Sequence, residues 1–187
     1  MELYKSIELD CFSAIKKATS KFIDQFDKQT ILNLPHDQQL LDLINDEVTS
    51  KGLSKIIPQL LIFKRWNPII DMKTAHTDHG YIANSPINCS IVFPVSGCEN
   101  TCMYWLGGDY ELEELTTPTG FKYNSIKWKD GVGTLLQEVE ILNSPMLARV
   151  DIPHLAQSNG KDFRVTCTIR FSKNEEFEEI YQKLSVK

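Results

Sequence analysis

Two short motifs contain residue types that bind metal ions. The segment TAHTDHG carries His76 and Asp78 in the spacing H-x-D, and the segment DIPHLAQ carries His154 at the end of a predicted strand. Residues i and i+2 of an extended chain point to the same side, so the imidazole of His76 and the carboxylate of Asp78 can converge on one cation. The third ligand has to come from elsewhere in the fold, and His154 is the candidate for it.

The residue types of this set indicate which metal they suit. Two neutral imidazoles and one carboxylate on one face form the facial triad of non-haem Fe(II) oxygenases, which leaves coordination positions open for other ligands. The H-x-D pair alone is weak support for such a site, because it often occurs by chance. The prediction therefore depends on the residues that accompany it.

The segment FRVTCTIRF, which follows His154, alternates in polarity. Its polar residues share one face, and they are Arg164, Thr166, Thr168 and Arg170. This alternation is typical of an antiparallel strand with one solvated face. If the strand belongs to a β-helix, the polar face instead lines the cavity. Arg164 then presents a planar fork to a carboxylate, beside the hydroxyl of Thr166.

The first third of the chain, residues 1–54, has the apolar periodicity of supporting helices. One stripe repeats at three- and four-residue steps and consists of Phe12, Ile15, Thr19, Phe22 and Phe26. A second helix is predicted from about Pro35 or Asp37 to a natural stop at Gly52. At the other end of the chain, Ser172 and Glu175 have the spacing of a capping box, which predicts a terminal helix within 173–187.

Residues 55–172 have the pattern of a β domain. Short runs rich in β-branched and aromatic residues recur without a helical stripe, and the clearest are QLLIFKRW, INCSIVFPV, TCMYWLGG, LLQEVEIL, ARVDIPH and FRVTCTIRF. Such a series favours a sandwich, barrel or jelly roll over a βαβ fold. We predict a single, mainly β domain with flanking helices. The segment 109–133 is expected to form a loop or hairpin at the open end of this β domain, where a substrate would lie.

The combination of these motifs resembles a family signature. An H-x-D pair, a distal histidine and an Arg-x-Thr pair ten residues later resemble the 2-oxoglutarate/Fe(II)-dependent dioxygenases, here as His76, Asp78, His154, Arg164 and Thr166. The stretches NCSIVFPVSGCENTCMYWLGG and VDIPHLAQSNGKDFRVTCTIRF also resemble small oxygenase-like proteins of phages and marine bacteria. The resemblance covers roughly the last two thirds of the chain. It implies a double-stranded β-helix, a jelly roll of the cupin-like barrel type.

The resemblance also implies an activity and a role for each residue. The H-x-D pair and His154 would hold Fe(II), Arg164 would pair with the distal carboxylate of the co-substrate 2-oxoglutarate, and Thr166 would donate a hydrogen bond to it. Asn88 and Ser90 share a face of the neighbouring predicted strand and would line the same cavity. The expected reaction is oxidation of a substrate, usually hydroxylation, with conversion of 2-oxoglutarate to succinate and CO2.

Other functions use the same residues. The string AHTDH partly matches the H-x-H-x-D-H zinc motif of metallo-β-lactamase-like hydrolases, with His79 as its last histidine, but Thr74 stands where the first histidine would be. A cupin enzyme would normally show H-x-H followed by a glutamate, which is absent at that place. A non-catalytic jelly roll that binds a ligand or a protein also fits the strand pattern.

The amino-acid composition indicates which binding partners and which cellular compartment to expect. A hydrophobic fraction of 42%, a charged fraction of 24% and a formal charge of −5 are typical of a soluble globular protein and argue against nucleic-acid binding. No apolar run approaches the about 20 residues of a membrane span, and the start MELYKSIELD does not fit a signal peptide. Five cysteines without a C-x-x-C pair, including Cys98 and Cys102, fit the reduced thiols of a cytoplasmic protein.

Overall fold

The computed structural model describes residues 2–28, 30–65, 69–78, 87–117, 119–120, 122–141, 143–158 and 163–185. The helices in these ranges are α1 (Phe12–Ile23), α2 (Gln38–Ser50) and α3 (Phe177–Ser185), with a short 3-10 turn at Met72–Thr74. The strands are β1 (Tyr4–Ser6), β2 (Thr30–Asn33), β3 (Leu61–Arg65), β4 (His76–Asp78), β5 (Cys89–Ser96), β6 (Thr101–Gly107), β7 (Tyr110–Thr116), β8 (Lys122–Trp128), β9 (Thr134–Glu140), β10 (Met146–Arg149), β11 (His154–Ser158) and β12 (Arg164–Ile169).

The strands form two six-stranded sheets, and every pairing between neighbours is antiparallel. The helix-backed sheet has the order β1-β10-β5-β12-β3-β2, and the second sheet has the order β7-β8-β4-β11-β6-β9. The predicted mainly β architecture with few helices is therefore confirmed.

The two sheets pack face to face. Val92 and Ala148 from the helix-backed sheet share a buried cluster with Met103 and Trp105 from the second sheet. The indole N–H of Trp105 also donates to the carbonyl of Arg149 at 2.8 Å, which joins the layers by a hydrogen bond. The inner faces of the two sheets thus line the interior of a β-sandwich.

Helices α1 and α2 confirm the helical periodicity of the N-terminal segment. The buried residues of α2 are Leu40, Leu41, Ile44 and Val48, and they join the core on the outer face of the helix-backed sheet. The helix begins after Asp37, whose carboxylate accepts the Leu40 N–H at 3.1 Å and so caps a free helix donor. It ends just before Gly52, which adopts a φ of 74°. No helix in the described ranges is long and apolar enough to cross a membrane.

Two details of the terminal segments differ from the sequence prediction. Residues 1–54 also contain β1 and β2, which are edge strands of the helix-backed sheet. With three and four residues, they are too short to show a clear alternation. The predicted capping box is wrong, because the Glu175 carboxylate accepts from the Ser54 hydroxyl at 3.0 Å and α3 begins only at Phe177.

The segment 109–133 is a hairpin rather than an irregular loop. Strands β7 and β8 pair along their whole length, from Tyr110 opposite Trp128 to Thr116 opposite Lys122. β8 then pairs with β4, so the hairpin extends the second sheet next to the strand that carries the H-x-D pair. Leu112 and Leu115 on β7 are exposed.

Candidate metal and co-substrate site

The structure brings His76, Asp78 and His154 together. β4 places His76 and Asp78 on one face, and β11 pairs with β4 so that His154 lies directly opposite His76. One potential ligand atom from each of the three residues lies within 4.8 Å of the others. Among the described residues, this is the group of histidine, cysteine and acidic side chains that could hold a metal ion.

Backbone carbonyls fix the orientation of both imidazoles. Nδ1 of His154 lies 2.9 Å from the carbonyl of Ile152, and Nδ1 of His76 lies 3.1 Å from the carbonyl of Thr74. Because a carbonyl can only accept, each Nδ1 carries the proton and donates. Each Nε2 therefore keeps its lone pair, as required of a metal ligand.

Arg170 holds the carboxylate of Asp78. Nε and Nη2 of Arg170 both donate to Oδ2 of Asp78, at 3.1 and 2.6 Å, and the two side chains are only 4% and 6% exposed. Burial, the largest single influence, would raise the pKa of Asp78, but the charges of Arg170, His154 and His76 and the Arg170 hydrogen bond together outweigh it and lower the pKa from its ordinary 3.8. The carboxylate is therefore ionised at neutral pH, with Oδ1 outside the fork.

His154 is kept neutral by its surroundings. It is 6% exposed. Burial, together with the nearby charge of His76, lowers its pKa to about 4. A buried imidazole that stays unprotonated well below neutral pH can bind a metal without first losing a proton.

Strand β12 presents its polar row to the sandwich interior. Its alternate residues Val165, Cys167 and Ile169 pack in the core beneath the helices. The opposite face therefore points toward the second sheet, and Arg170, just beyond the strand, confirms this direction by reaching Asp78.

Two polar groups of this row, the Arg164 guanidinium and the Thr168 hydroxyl, have no partner among the described residues. Arg164 is 8% exposed, and no hydrogen bond or ion pair links its guanidinium to a described residue. Burial lowers its pKa to about 10, so the guanidinium is charged at neutral pH. Thr166 is also buried, and the Thr168 hydroxyl is buried without a hydrogen-bond partner. Unpaired groups of this kind are costly, which points to a polar ligand.

Asn88 and Ser90, the two residues predicted to line the cavity, have less direct links to the three candidate metal ligands. Ser90 is buried on β5, opposite Ala148 and on the face of the sheet that looks inward. Asn88 precedes the strand, and its backbone N–H donates to Oδ1 of Asn174 at 3.1 Å. Within the described ranges, neither side chain forms a hydrogen bond to the histidines or to Asp78. Their role as lining residues stays a prediction.

Sequence reasoning gave no role to two residues of this site, Arg170 and Tyr123. Arg170 lies on the same polar face as Arg164, so the alternation along the strand indicates that its side chain points into the sandwich. Its pairing with Asp78 does not follow from the sequence. Tyr123 is opposite Asp78 in the β4–β8 pair, and its ring contacts that of His76 edge-on at 5.9 Å. The short pairing of β4 with β8 could not be found from periodicity.

The remaining histidines and cysteines lie apart from this site or outside the described residues. His36 is exposed and hydrogen-bonded to Gln38, and His79 lies outside the described residues. All five cysteines are free thiols. Cys98 packs between the sheets, whereas Cys102 contacts the apolar cluster on the outer face of the second sheet, so the two do not face one site.

Comparison with known proteins adds a structural likeness but no sequence relative. No protein-family model matches the sequence, and no curated protein matches it. Among solved structures, the chain is similar to the non-heme alpha ketoglutarate dependent carbocyclase SnoK from nogalamycin biosynthesis, with 10% identity over 89% of this chain and 78% of that chain, and a TM-score of 0.46. A likeness this distant carries no argument about activity, so the case for a function rests on the site.

Proposed function

We propose that the protein is an Fe(II)- and 2-oxoglutarate-dependent oxygenase built on a double-stranded β-helix. His76, Asp78 and His154 would hold the metal, and Arg164 with Thr166 would hold the distal carboxylate of 2-oxoglutarate. The observation that carries the proposal is the pairing of two features in one sandwich interior. One is the set of three ligand atoms within 4.8 Å, and the other is a buried arginine, Arg164, without an acid partner among the described residues.

The donor set fits Fe(II). Two imidazoles and one carboxylate are the ligands of the non-haem Fe(II) facial triad, whereas the absence of a sulfur donor argues against a structural zinc site of the cysteine type. Both imidazoles are oriented by backbone carbonyls, and the carboxylate is oriented by Arg170. Such outer contacts are the usual support of metal ligands.

The polar row of β12 fits a 2-oxo dicarboxylate. The Arg164 guanidinium can form two parallel hydrogen bonds to a carboxylate. Such a ligand would supply the acid partner that this buried side chain lacks within the described part of the chain. Thr166 and Thr168 follow on the same face, in the direction of Arg170 and the triad. A dicarboxylate lying along this row would satisfy the buried Thr168 hydroxyl or place a water molecule beside it.

The protein's part in the reaction is binding, orientation and exclusion of water. When bound, iron and 2-oxoglutarate supply the oxidising chemistry, in which dioxygen and the 2-oxo acid give succinate, CO2 and one oxygen atom for the substrate. Arg170 keeps the Asp78 carboxylate charged and in place, and the buried surroundings of His154 keep its imidazole neutral. Burial of the site between the sheets limits access of water to the reacting groups.

Calorimetric titration of the metal-free protein with Co(II) and with Fe(II) under nitrogen tests the metal site. We expect His76→Ala to weaken binding by at least 10- to 100-fold, and the matched variant His36→Ala to leave it unchanged, because His36 is exposed and forms no part of the site. If neither metal binds the wild-type protein, or if both variants bind as it does, the metal site is refuted and a non-catalytic jelly roll becomes the better interpretation.

Titration of the Co(II)-loaded protein with 2-oxoglutarate tests the co-substrate. We expect tight binding by the wild-type protein and a large loss with Arg164→Gln, because the variant removes the buried positive charge proposed to pair with the distal carboxylate. Succinate formed by the Fe(II)-loaded protein in air gives a second readout. If the affinity is unchanged by Arg164→Gln, the co-substrate assignment is wrong. A zinc-dependent hydrolysis lost with His79→Ala would instead favour the hydrolase.

A further inference from the structure

A second arginine faces the same interior as Arg164. Arg65 ends strand β3 and lies directly opposite Arg164 in the antiparallel β3–β12 pair. Directly opposite residues point to the same side, with Cβ atoms about 4.5–5.5 Å apart. The neighbouring Lys64 points the other way, since its ammonium group donates to the carbonyl of Phe26 beneath the sheet.

These two arginines have no counterion among the described residues. Neither guanidinium forms an ion pair or hydrogen bond with any of them. By contrast, Arg149 and Arg170 each pair with an aspartate at 2.6 Å. The chain has 25 acidic and 20 basic residues, so carboxylates are not scarce, yet none in the described ranges pairs with either guanidinium.

The placement of Arg65 opposite Arg164 is expected to lower the stability of the protein when no ligand is bound. Like charges directly opposite on paired strands are destabilising, and burial of an unpaired charge adds to that cost. Burial lowers the pKa of both guanidinium groups, and the charge of Arg65 contributes to the lowering at Arg164. The missing negative charge is therefore expected to come from a ligand.

We propose that Arg65 and Arg164 form a two-arginine clamp on one carboxylate, the distal carboxylate of 2-oxoglutarate, and that this clamp selects dicarboxylic over monocarboxylic 2-oxo acids. The inference rests on the proposed function. A carboxylate has two oxygens with about four acceptor positions, so it accommodates the forks of two guanidinium groups. Both arginines contribute because Arg65 at the end of β3 and Arg164 at the start of β12 lie side by side on the inner face of the sheet.

Binding of two ligands to the Co(II)-loaded protein tests the clamp. 2-Oxoglutarate carries the distal carboxylate, and 2-oxobutyrate lacks it while keeping the 2-oxo acid group. We expect Arg65→Gln to weaken 2-oxoglutarate binding by roughly 10- to 100-fold and to leave 2-oxobutyrate binding unchanged. The matched control is Lys64→Gln, which removes a positive charge from the adjacent residue but on the opposite face, and should affect neither ligand.

Thermal unfolding of the metal-free protein separates this role from a structural one. Arg65→Gln relieves a like-charge contact, so its Tm without ligand should equal or exceed that of the wild-type protein, whereas the rise in Tm produced by Co(II) with 2-oxoglutarate should shrink. A lower Tm without ligand, with equal weakening of both 2-oxo acids, would show a structural role and overturn the clamp.

The Arg164→Gln variant distinguishes failure of the clamp from failure of the proposed function. If Arg164→Gln abolishes the preference for 2-oxoglutarate while Arg65→Gln retains it, the clamp is refuted and the co-substrate assignment stands. If neither variant changes the preference, both proposals fail, because the distal carboxylate is then held elsewhere.

Discussion

Replacement of Arg170 by methionine should destabilise the metal-free protein severely. The side chains of Arg170 and Asp78 are 4% and 6% exposed, so the substitution leaves a buried carboxylate without its counterion. Loss of one partner from such a pair costs about 3–5 kcal/mol. For a domain of this size, each kcal/mol lowers Tm by about 2–4 °C, which predicts a fall of about 6–20 °C.

Urea unfolding followed by circular dichroism measures this cost, and the double variant Arg170→Met/Asp78→Asn tests its cause. Because the double variant removes both charges, it should be more stable than the sum of the single effects predicts, by about 2–3 kcal/mol. A matched control is Arg149→Met, which breaks an ion pair with the same 2.6 Å separation whose side chains are 21% and 20% exposed. There we expect a cost near 1 kcal/mol.

Three results would refute this reasoning about Arg170. The first is a loss no larger than that of Arg149→Met. The second is strict additivity in the double variant, which would mean that Asp78 is not the partner that matters. The third is a rise in Tm with Co(II) that is no larger for Arg170→Met than for the wild-type protein, because a metal ion at the triad would neutralise the Asp78 carboxylate that the variant leaves unpaired.

Two further predictions concern acid stability and a tight turn. Because the pKa of His154 is lowered from 6.5 to about 4, the unfolded chain takes up this proton first, and the unfolding free energy of the metal-free protein should fall by the order of 3 kcal/mol as pH drops from 6.5 to 4. His154→Gln should lose this part of the pH dependence and His36→Gln should keep it; identical profiles would contradict the assignment. Gly97→Ala should destabilise by more than about 2 kcal/mol in urea unfolding, because φ is 61° and the added Cβ would lie 2.3 Å from the carbonyl oxygen of Phe163. At Gly120, where φ is 80° and no atom lies within 4 Å, the same change should cost about 1 kcal/mol; equal effects would show that the contact at Gly97 relaxes without cost.

The sequence predicts which residues of one strand share a face, because side chains alternate between the two faces of an extended chain. The two-residue step from His76 to Asp78 and the alternation from Arg164 to Arg170 each determine a common side once the chain is extended. The structure shows both sets on inner faces, and it places His154 opposite His76. Assignment of metal and co-substrate to them remains a prediction.

What the sequence could not provide is the pairing between distant strands. Arg65 lies almost a hundred residues before Arg164, and nothing local to IFKRW indicates that the two are opposite. The fork of Arg170 on Asp78 joins the two sheets in the same way. The N-terminal edge strands β1 and β2 could not be predicted for a related reason. Their hydrogen bonds join residues that are distant in the sequence, and three or four residues are too few to show an alternating pattern.

The two faces of β12 also constrain how the chain can vary in evolution. One face fills the core beneath the helices, and the other carries the buried polar row, while hydrogen bonds hold the strand between β3 and β5. A single inserted or deleted residue would exchange the two faces, which would bury guanidinium groups under the helices and remove the site at the same time. This strand can therefore accept substitutions but not a change of length by one residue, whereas the hairpin of β7 and β8 at the edge of the second sheet is free to lengthen.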